Sequence, residues 1–130
     1  MKFEPDTLAG VNTISRHEAG RVHVGAQEHV ASVIVPWEGA VLPWPLLRWA
    51  DLDPALLQPL VDLEPELVIF GSGSRLVFPP AAVLRPLIDR RIGFETMDTA
   101  AACRTYNVLV TERRRVVAAL APGFHLVLHR

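Results

Sequence analysis

The first third of the chain carries a two-residue period. Val11–His17 and Arg21–Gly25 are rich in β-branched residues, and Val22 and Val24 flank His23 as in a half-buried strand. Glu18-Ala19-Gly20 between them reads as a hairpin turn. Val30–Val35 is a nearly continuous apolar run closed by Pro36, which predicts a strand buried on both faces. Pattern then gives way to punctuation. Pro36–Trp49 holds three prolines and all three tryptophans of the chain. Pro43 and Pro45 exclude a helix interior and a regular central strand. An extended connection whose tryptophans cap the core is expected, although such a segment also suits a protein-binding surface.

Beyond Asp53 the period lengthens. Asp53-Pro54 opens a helix with Leu56, Leu57, Leu60, Val61 and Leu63 as its apolar stripe, kinked or shortened at Pro59 and ended by Glu64-Pro65. Glu66–Phe70 is a short apolar strand running straight into Gly71-Ser72-Gly73-Ser74. Pro79-Pro80 starts a second helix to about Arg91, with Val83, Leu84, Leu87 and Ile88 inward, Pro86 interrupting it and Gly93 placed as a left-handed cap. Phe94–Met97 is the next strand. Asp98 caps a third helix reaching about Val110, and Arg115–Leu120 is the last core strand. Met1–Gly10 reads as an arm or fringe strand. Residues 122–130 read as a tail, with Phe124–Arg130 an extra edge strand if it folds back.

The predicted order is β-hairpin, β, α, β, α, β, α, β. Strands alternating with helices imply an α/β domain, a three-layer unit around a central mixed, largely parallel sheet with right-handed crossovers. The N-terminal hairpin adds antiparallel strands, at the sheet edge or as a small second layer. The 130 residues fit one domain, 1–130, and half of them are hydrophobic, which excludes general disorder.

Thirteen basic side chains face fourteen acidic ones. That balance supplies no general attraction to nucleic acid or to anionic membrane. The arginine pairs and triplets at Arg90–Arg91 and Arg113–Arg115 read as solvated turns. Cys103 is the only cysteine, so no intrachain disulfide forms and a reducing compartment is expected. No apolar run approaches the ~20 residues of a membrane helix, and MKFEPDTLAG lacks the apolar core of a secretory signal. A cytoplasmic protein without membrane insertion is the expectation. Nothing in the pattern sets an oligomeric state.

Candidate chemistry gathers where strands give way to turns or helices. In a parallel sheet, ligands bind beyond the carboxyl ends of the strands. Gly71, Ser72, Gly73 and Ser74 form one such exit, and free backbone N–H groups there would hold a phosphate, a carboxylate or a partner's backbone. The run matches neither GxGxxG nor the GxxxxGK[ST] loop, and its plainer reading is a tight strand exit. Asp98 and Thr99 form the second junction, with Arg104 on the following helix as a source of positive charge. Asp98 before Thr-Ala-Ala-Ala is first a helix cap. Cys103 shares its helical face with Thr99, Tyr106 and Val110, which predicts a buried, inert thiol. Tyr106 and Asn107 read as polar clamps. His17, His23 and His29 lie on the first strands and His125 and His129 on the tail, with no metal-ligand spacing, and no catalytic residue, metal or cofactor is assigned.

ELVIFGSGS, FPP and IGFETMDTAAACRTYNVLVTERRRVVAAL together resemble a family of small α/β proteins of unknown function. That family takes in bacterial and archaeal hypothetical proteins, the mitochondrial respiratory complex I assembly factor and an adipogenesis-associated cytosolic protein. The resemblance spans about Phe3 to Leu120 and is tightest from Glu66 onward. Typical members carry glycine in place of Ala100 and within the turn occupied by Arg113-Arg114. The resemblance implies a three-layer α/β fold with a central mixed sheet and, through one branch, a role in assembling a respiratory complex. Two classes of function remain open. One is a non-enzymatic binding or assembly module that holds a protein partner by the Gly71–Ser74/Asp98 edge or by the tryptophan segment. The other is a small-molecule or anion-binding protein, or an enzyme, using the same edge.

Overall fold

A computed structural model of the protein describes residues 10–122. The arm at Met1–Gly10, apart from Gly10, and the edge strand expected at Phe124–Arg130 lie outside them. A small antiparallel sheet comes first, built from β1 (Ile14–Glu18), β2 (Arg21–Val24) and β3 (Gln27–His29). The first two are the expected hairpin. β3 was not anticipated: Gln27-Glu28-His29 has little β propensity and pairs because Gly25, at φ 59°, turns the chain back onto β2.

The main sheet has five strands. β4 (Val33–Pro36) and the two-residue β5 (Leu42–Pro43) pair antiparallel, and β4 pairs antiparallel with β8 (Val116–Ala121). β8 runs parallel to β6 (Leu67–Ser72), which runs parallel to β7 (Gly93–Met97). The spatial order is β5-β4-β8-β6-β7. The four predicted core strands therefore share one sheet, with β6, β7 and β8 mutually parallel. Val30 and Ala31 are exposed and stand outside β4, against expectation. Ser32 explains the break, because its carbonyl and hydroxyl both bond into the tryptophan connection, to Trp44 N–H and Leu46 O respectively. Pro43 sits on the edge strand, where a missing N–H costs nothing.

Both proline-bearing helices differ from the pattern in the same way. Asp53 does cap its segment, accepting from Leu56 N–H at 3.1 Å, but Pro54–Leu57 is a 3-10 turn and α1 spans only Gln58–Asp62. α2 spans only Arg85–Asp89, after turns at 81–84. Pro59 and Pro86 thus open helices rather than kink or interrupt them. A proline has no N–H to give, and the first helical turn is where none is required. Ile88 points outward, 41 % exposed. The left-handed residue after α2 is Arg91 at φ 58°, not Gly93: Ile92 N–H bonds to Leu87 O, and Gly93 already belongs to β7. α3 (Thr99–Thr111) is regular, capped by Asp98 as expected.

Two cores lie on opposite faces of the sheet, making three layers. Ile34, Val68, Phe70, Val117 and Ala119 face the tryptophan connection, α1 and α2. Val33, Val35, Ile69, Val116, Ala118 and Leu120 face α3 and the small sheet. The alternation along each strand is that of a sheet covered on both sides. Asn107 ties the small sheet to α3 by accepting from Ile14 N–H at 2.8 Å and donating to Ile14 O at 2.7 Å. Tyr106 OH reaches both Asn12 O and Pro36 O.

Candidate functional site

β6 and β8 end side by side, and the residues at the two strand exits decide the local geometry. Gly71 and Ser72 continue the β6 ladder, opposite Leu120 and Ala121 of β8, so their backbone is paired rather than free. Gly71 is a packing glycine. A Cβ there would lie 2.9 Å from Leu120 Cδ2, 3.0 Å from Thr99 Oγ1 and 3.1 Å from Thr99 Cα. Gly73, at φ 102°, makes the turn and is held by Thr99 on both sides. Its N–H donates to Thr99 Oγ1 at 2.9 Å, and its carbonyl accepts from Thr99 N–H at 2.8 Å. Thr99 Oγ1 in turn donates to Ala121 O. One buried hydroxyl therefore locks the exits of β6 and β8 to the start of α3.

The expected nest of N–H groups does not form from Gly71–Gly73, because those groups are already engaged. Ser72 is likewise internal: its hydroxyl donates to Arg75 O at 2.7 Å and accepts from Val77 N–H at 3.1 Å. Asp98 Oδ1 accepts from Ala101 N–H at 2.9 Å, a helix cap. Arg104 is exposed on α3, on the opposite side of the sheet from the tryptophans. The loop and the helix start meet at the same sheet edge, as expected, but as a clamp. Ser74 and Arg75 are the exposed residues of the turn.

On the tryptophan side the same edge opens into a cavity of about 480 Å³. Gly73, Ser74, Arg75 and Val77 form one wall, Leu46, Leu47, Arg48 and Trp49 a second, and Val30–Ser32 with Ala121-Pro122 the third. The walls are fixed by hydrogen bonds. Trp49 Nε1 donates to Val77 O at 2.8 Å, and Ser32 Oγ to Leu46 O at 2.7 Å. Trp44 Nε1 donates to Leu56 O, and Phe70 packs against both Trp44 and Trp49, with ring centroids 6.5 and 6.1 Å away. The predicted core-capping role of the tryptophans is met by Trp44, while Trp49 also fronts the cavity.

Among the described lining residues only Arg48 and Arg75 carry charge. Arg48 pairs with Asp51 at 2.8 Å, which lowers the Asp51 carboxyl and raises the guanidinium through their hydrogen bond. Arg75 has no acidic partner among the described residues. Of the cavity's apolar lining, Val30 is 60 %, Leu47 91 % and Val77 48 % exposed, and the chain neighbours of Val77, Leu76 and Phe78, are 51 % and 69 % exposed. The contribution of Val30–Ser32 was missed in the sequence, since it depends on β4 lying antiparallel to β8. Among the described residues no three His, Cys, Asp or Glu side chains gather as metal ligands. No helix among them is long and apolar enough to cross a membrane.

Residues 14–121 match the family described as "Protein of unknown function (DUF498/DUF598)". The chain belongs to this family. A crystal structure of a Bordetella parapertussis protein superposes with a TM-score of 0.83 at 38 % identity, covering 89 % of this chain and 99 % of that one. An uncharacterised protein of Rhodobacter capsulatus is 36 % identical over 104 residues, 80 % of this chain and 74 % of the relative. The Danio rerio protein named NADH dehydrogenase (ubiquinone) 1 alpha subcomplex assembly factor 3 is 39 % identical over 90 residues, 64 % of this chain and 52 % of that protein. Relatives of that name recur in Xenopus tropicalis and Drosophila melanogaster, and the chain spans about half the length of these curated relatives.

Proposed function

We propose that the protein is a non-enzymatic binding module that captures a protein partner at the carboxyl edge of β6 and β8, in the service of assembling a respiratory NADH dehydrogenase complex. The observation that carries this reading is the cavity beside Trp49, lined by exposed Val30, Leu47 and Val77, with exposed Leu76 and Phe78 next to Val77 in the chain. Exposed apolar side chains scattered singly need no explanation, whereas several around one opening mark a contact surface. Its inner hydroxyls, on Ser32 and Ser72, already bond to backbone carbonyls. Neither a histidine nor a carboxylate lines it among the described residues. Such walls hold a guest and offer no general base. The assembly role comes from the relatives named for it. A cytoplasmic location belongs to the same proposal.

In this reading Gly73 and Ser74 belong to the docking surface, while Gly71, Ser72, Asp98 and Thr99 fix its shape and Arg104 lies outside it. A second reading, capture of a small anion, is favoured by Arg75 and by the N–H groups of Ser74 and Arg75, which donate to no described residue. A photoreactive amino acid in place of Leu47, compared with one in place of Val108 on the far side of α3, separates these. Crosslinking in the native cell to one protein from position 47, lost on Phe78→Asp, supports partner capture. Equal yields from both positions, or none from 47, end it. Stabilisation by inorganic phosphate that disappears in Arg75→Glu would favour the anion.

A further inference from the structure

The cavity wall has a charge pattern that narrows the kind of partner. Its lining has two arginines, Arg48 and Arg75, and no aspartate or glutamate among the described residues, in a chain whose acidic side chains slightly outnumber its basic ones. Arg48 is paired through two hydrogen bonds with Asp51, so its charge is already matched. Arg75 stands on the turn after β6, without an acidic partner among the described residues. Both arginines line a cavity whose tryptophan wall is tied to the segment after β6 by the bond from Trp49 Nε1 to Val77 O. Beyond the opening the apolar surface continues along an extended strip, Leu76-Val77-Phe78, whose middle residue is held by Trp49 and Ser72.

We infer that this edge recognises an extended peptide segment in which an apolar anchor is followed by acidic side chains. The anchor enters the cavity against Trp49, and the carboxylates meet Arg75 at the mouth. This inference rests on the partner-capture reading and names the chemistry of its partner. A peptide fits better than a small carboxylate because the exposed apolar strip runs past the cavity, where a small guest would leave Leu76 and Phe78 uncovered. Charge complementarity of this kind sets specificity and encounter rate more than total affinity. The preference for acid over amide is therefore modest, and it weakens with salt.

Four acetylated, amidated octapeptides with glycine-serine flanks test this, carrying the cores Leu-Phe-Asp-Glu, Leu-Phe-Asn-Gln, Leu-Phe-Lys-Lys and Ala-Ala-Asp-Glu. Binding is read from tryptophan fluorescence and from anisotropy of a labelled peptide. The first should bind about fivefold tighter than its amide isostere at low salt, the range of one or two exposed ion pairs. It should also bind tighter than the alanine version, which lacks the anchor. Arg75→Glu, with unchanged thermal midpoint, should reverse the order and favour the lysine peptide. Equal binding of the acidic and lysine peptides, or no reversal in Arg75→Glu, overturns the inference. So does binding of dodecanoate without binding of any peptide. If the acidic preference is absent while position 47 still crosslinks one protein in cells, the peptide chemistry falls and partner capture stands. If position 47 captures nothing, the docking reading itself falls.

Discussion

Arg113 holds φ at 66°, in the left-handed region that costs a residue with a Cβ about 1–2 kcal/mol. It is kept there because Arg114 N–H reaches back to Leu109 O at 3.1 Å and closes α3. Arg113→Gly should therefore raise stability by up to about 1 kcal/mol, read as a higher urea midpoint with unchanged slope. A lower midpoint would show that the arginine side chain matters more than its backbone. Cys103 concerns the interior instead. It is fully buried, and burial pushes its thiol from 9.0 up to about 12, with Arg104 pulling the other way. Raised in the fold, this group contributes fully below pH 9, and its contribution is lost as pH climbs from about 9 through about 12. The unfolded chain releases the proton first. Burial raises the Tyr106 phenol too, which adds to the loss above pH ~10. Cys103→Ala should flatten the fall in stability between pH 9 and 10 and make the later part, to which Tyr106 also contributes, shallower without removing it. An unchanged profile would place the alkaline sensitivity elsewhere. Native Cys103 should also alkylate far more slowly than in denaturant.

At the scale of elements, the docking of α3 onto β6 depends on a missing methyl group. Gly71→Ala would drive a Cβ to 3.0 Å from Thr99 Oγ1, 3.1 Å from Thr99 Cα and 2.9 Å from the buried Leu120 Cδ2. Overpacking of this order costs about 1–3 kcal/mol, so a lower unfolding midpoint is expected, with the Gly73–Thr99 amides exchanging faster. A neutral effect would mean that α3 slides outward freely. This glycine shows where reading the chain reached its limit. Gly-Ser-Gly-Ser marked the strand exit correctly, and Asp98 marked the start of α3, because turn and cap chemistry is local. Whether a glycine frees an N–H or admits a neighbour is set by Thr99, twenty-six residues away along the bond that joins it to Gly73. Gly73→Val would for the same reason be a poor probe of binding, since Gly73 combines a positive φ with two bonds to Thr99. Pro59 and Pro86, read as interruptions of longer helices, instead open the two short ones, and the apolar stripes around them overstated the helices' length. A five-residue helix can bury Leu87 without burying Ile88. Val30 read as core from its neighbours, yet it lines the cavity mouth because Ser32 commits that part of the chain to the tryptophan connection.

Across the whole molecule, topology decides both where the proposed docking site lies and what unfolds first. The chain leaves β6 through α2 on one face to reach β7, then crosses the other face through α3 to arrive at β8, on the opposite side of β6. The cavity lies at the ends of the neighbouring parallel strands β6 and β8, where ligands of such sheets gather. The arrangement also ranks the sheets. β8 is paired on both sides, by β4 and β6, and its side chains enter both cores. The small sheet packs on the body through Ile14, Val22 and Val24. Among the described residues its other ties to the body are the Asn107 and Tyr106 bonds, and Gly20 N–H to Pro122 O. Elements with fewer buried contacts open below the global free energy. In native-state hydrogen exchange, amides of β8 and β6 should follow global unfolding in denaturant, whereas those of β2 and β3 should exchange through a smaller opening. Asn107→Ala, which strips Ile14 of both side-chain bonds, should cost about 1–3 kcal/mol in that smaller opening. Its effect on β8 should be less. If both sheets show one common denaturant dependence, and Asn107→Ala lowers them equally, the small sheet is part of the central cooperative unit and the ranking by buried contacts is wrong.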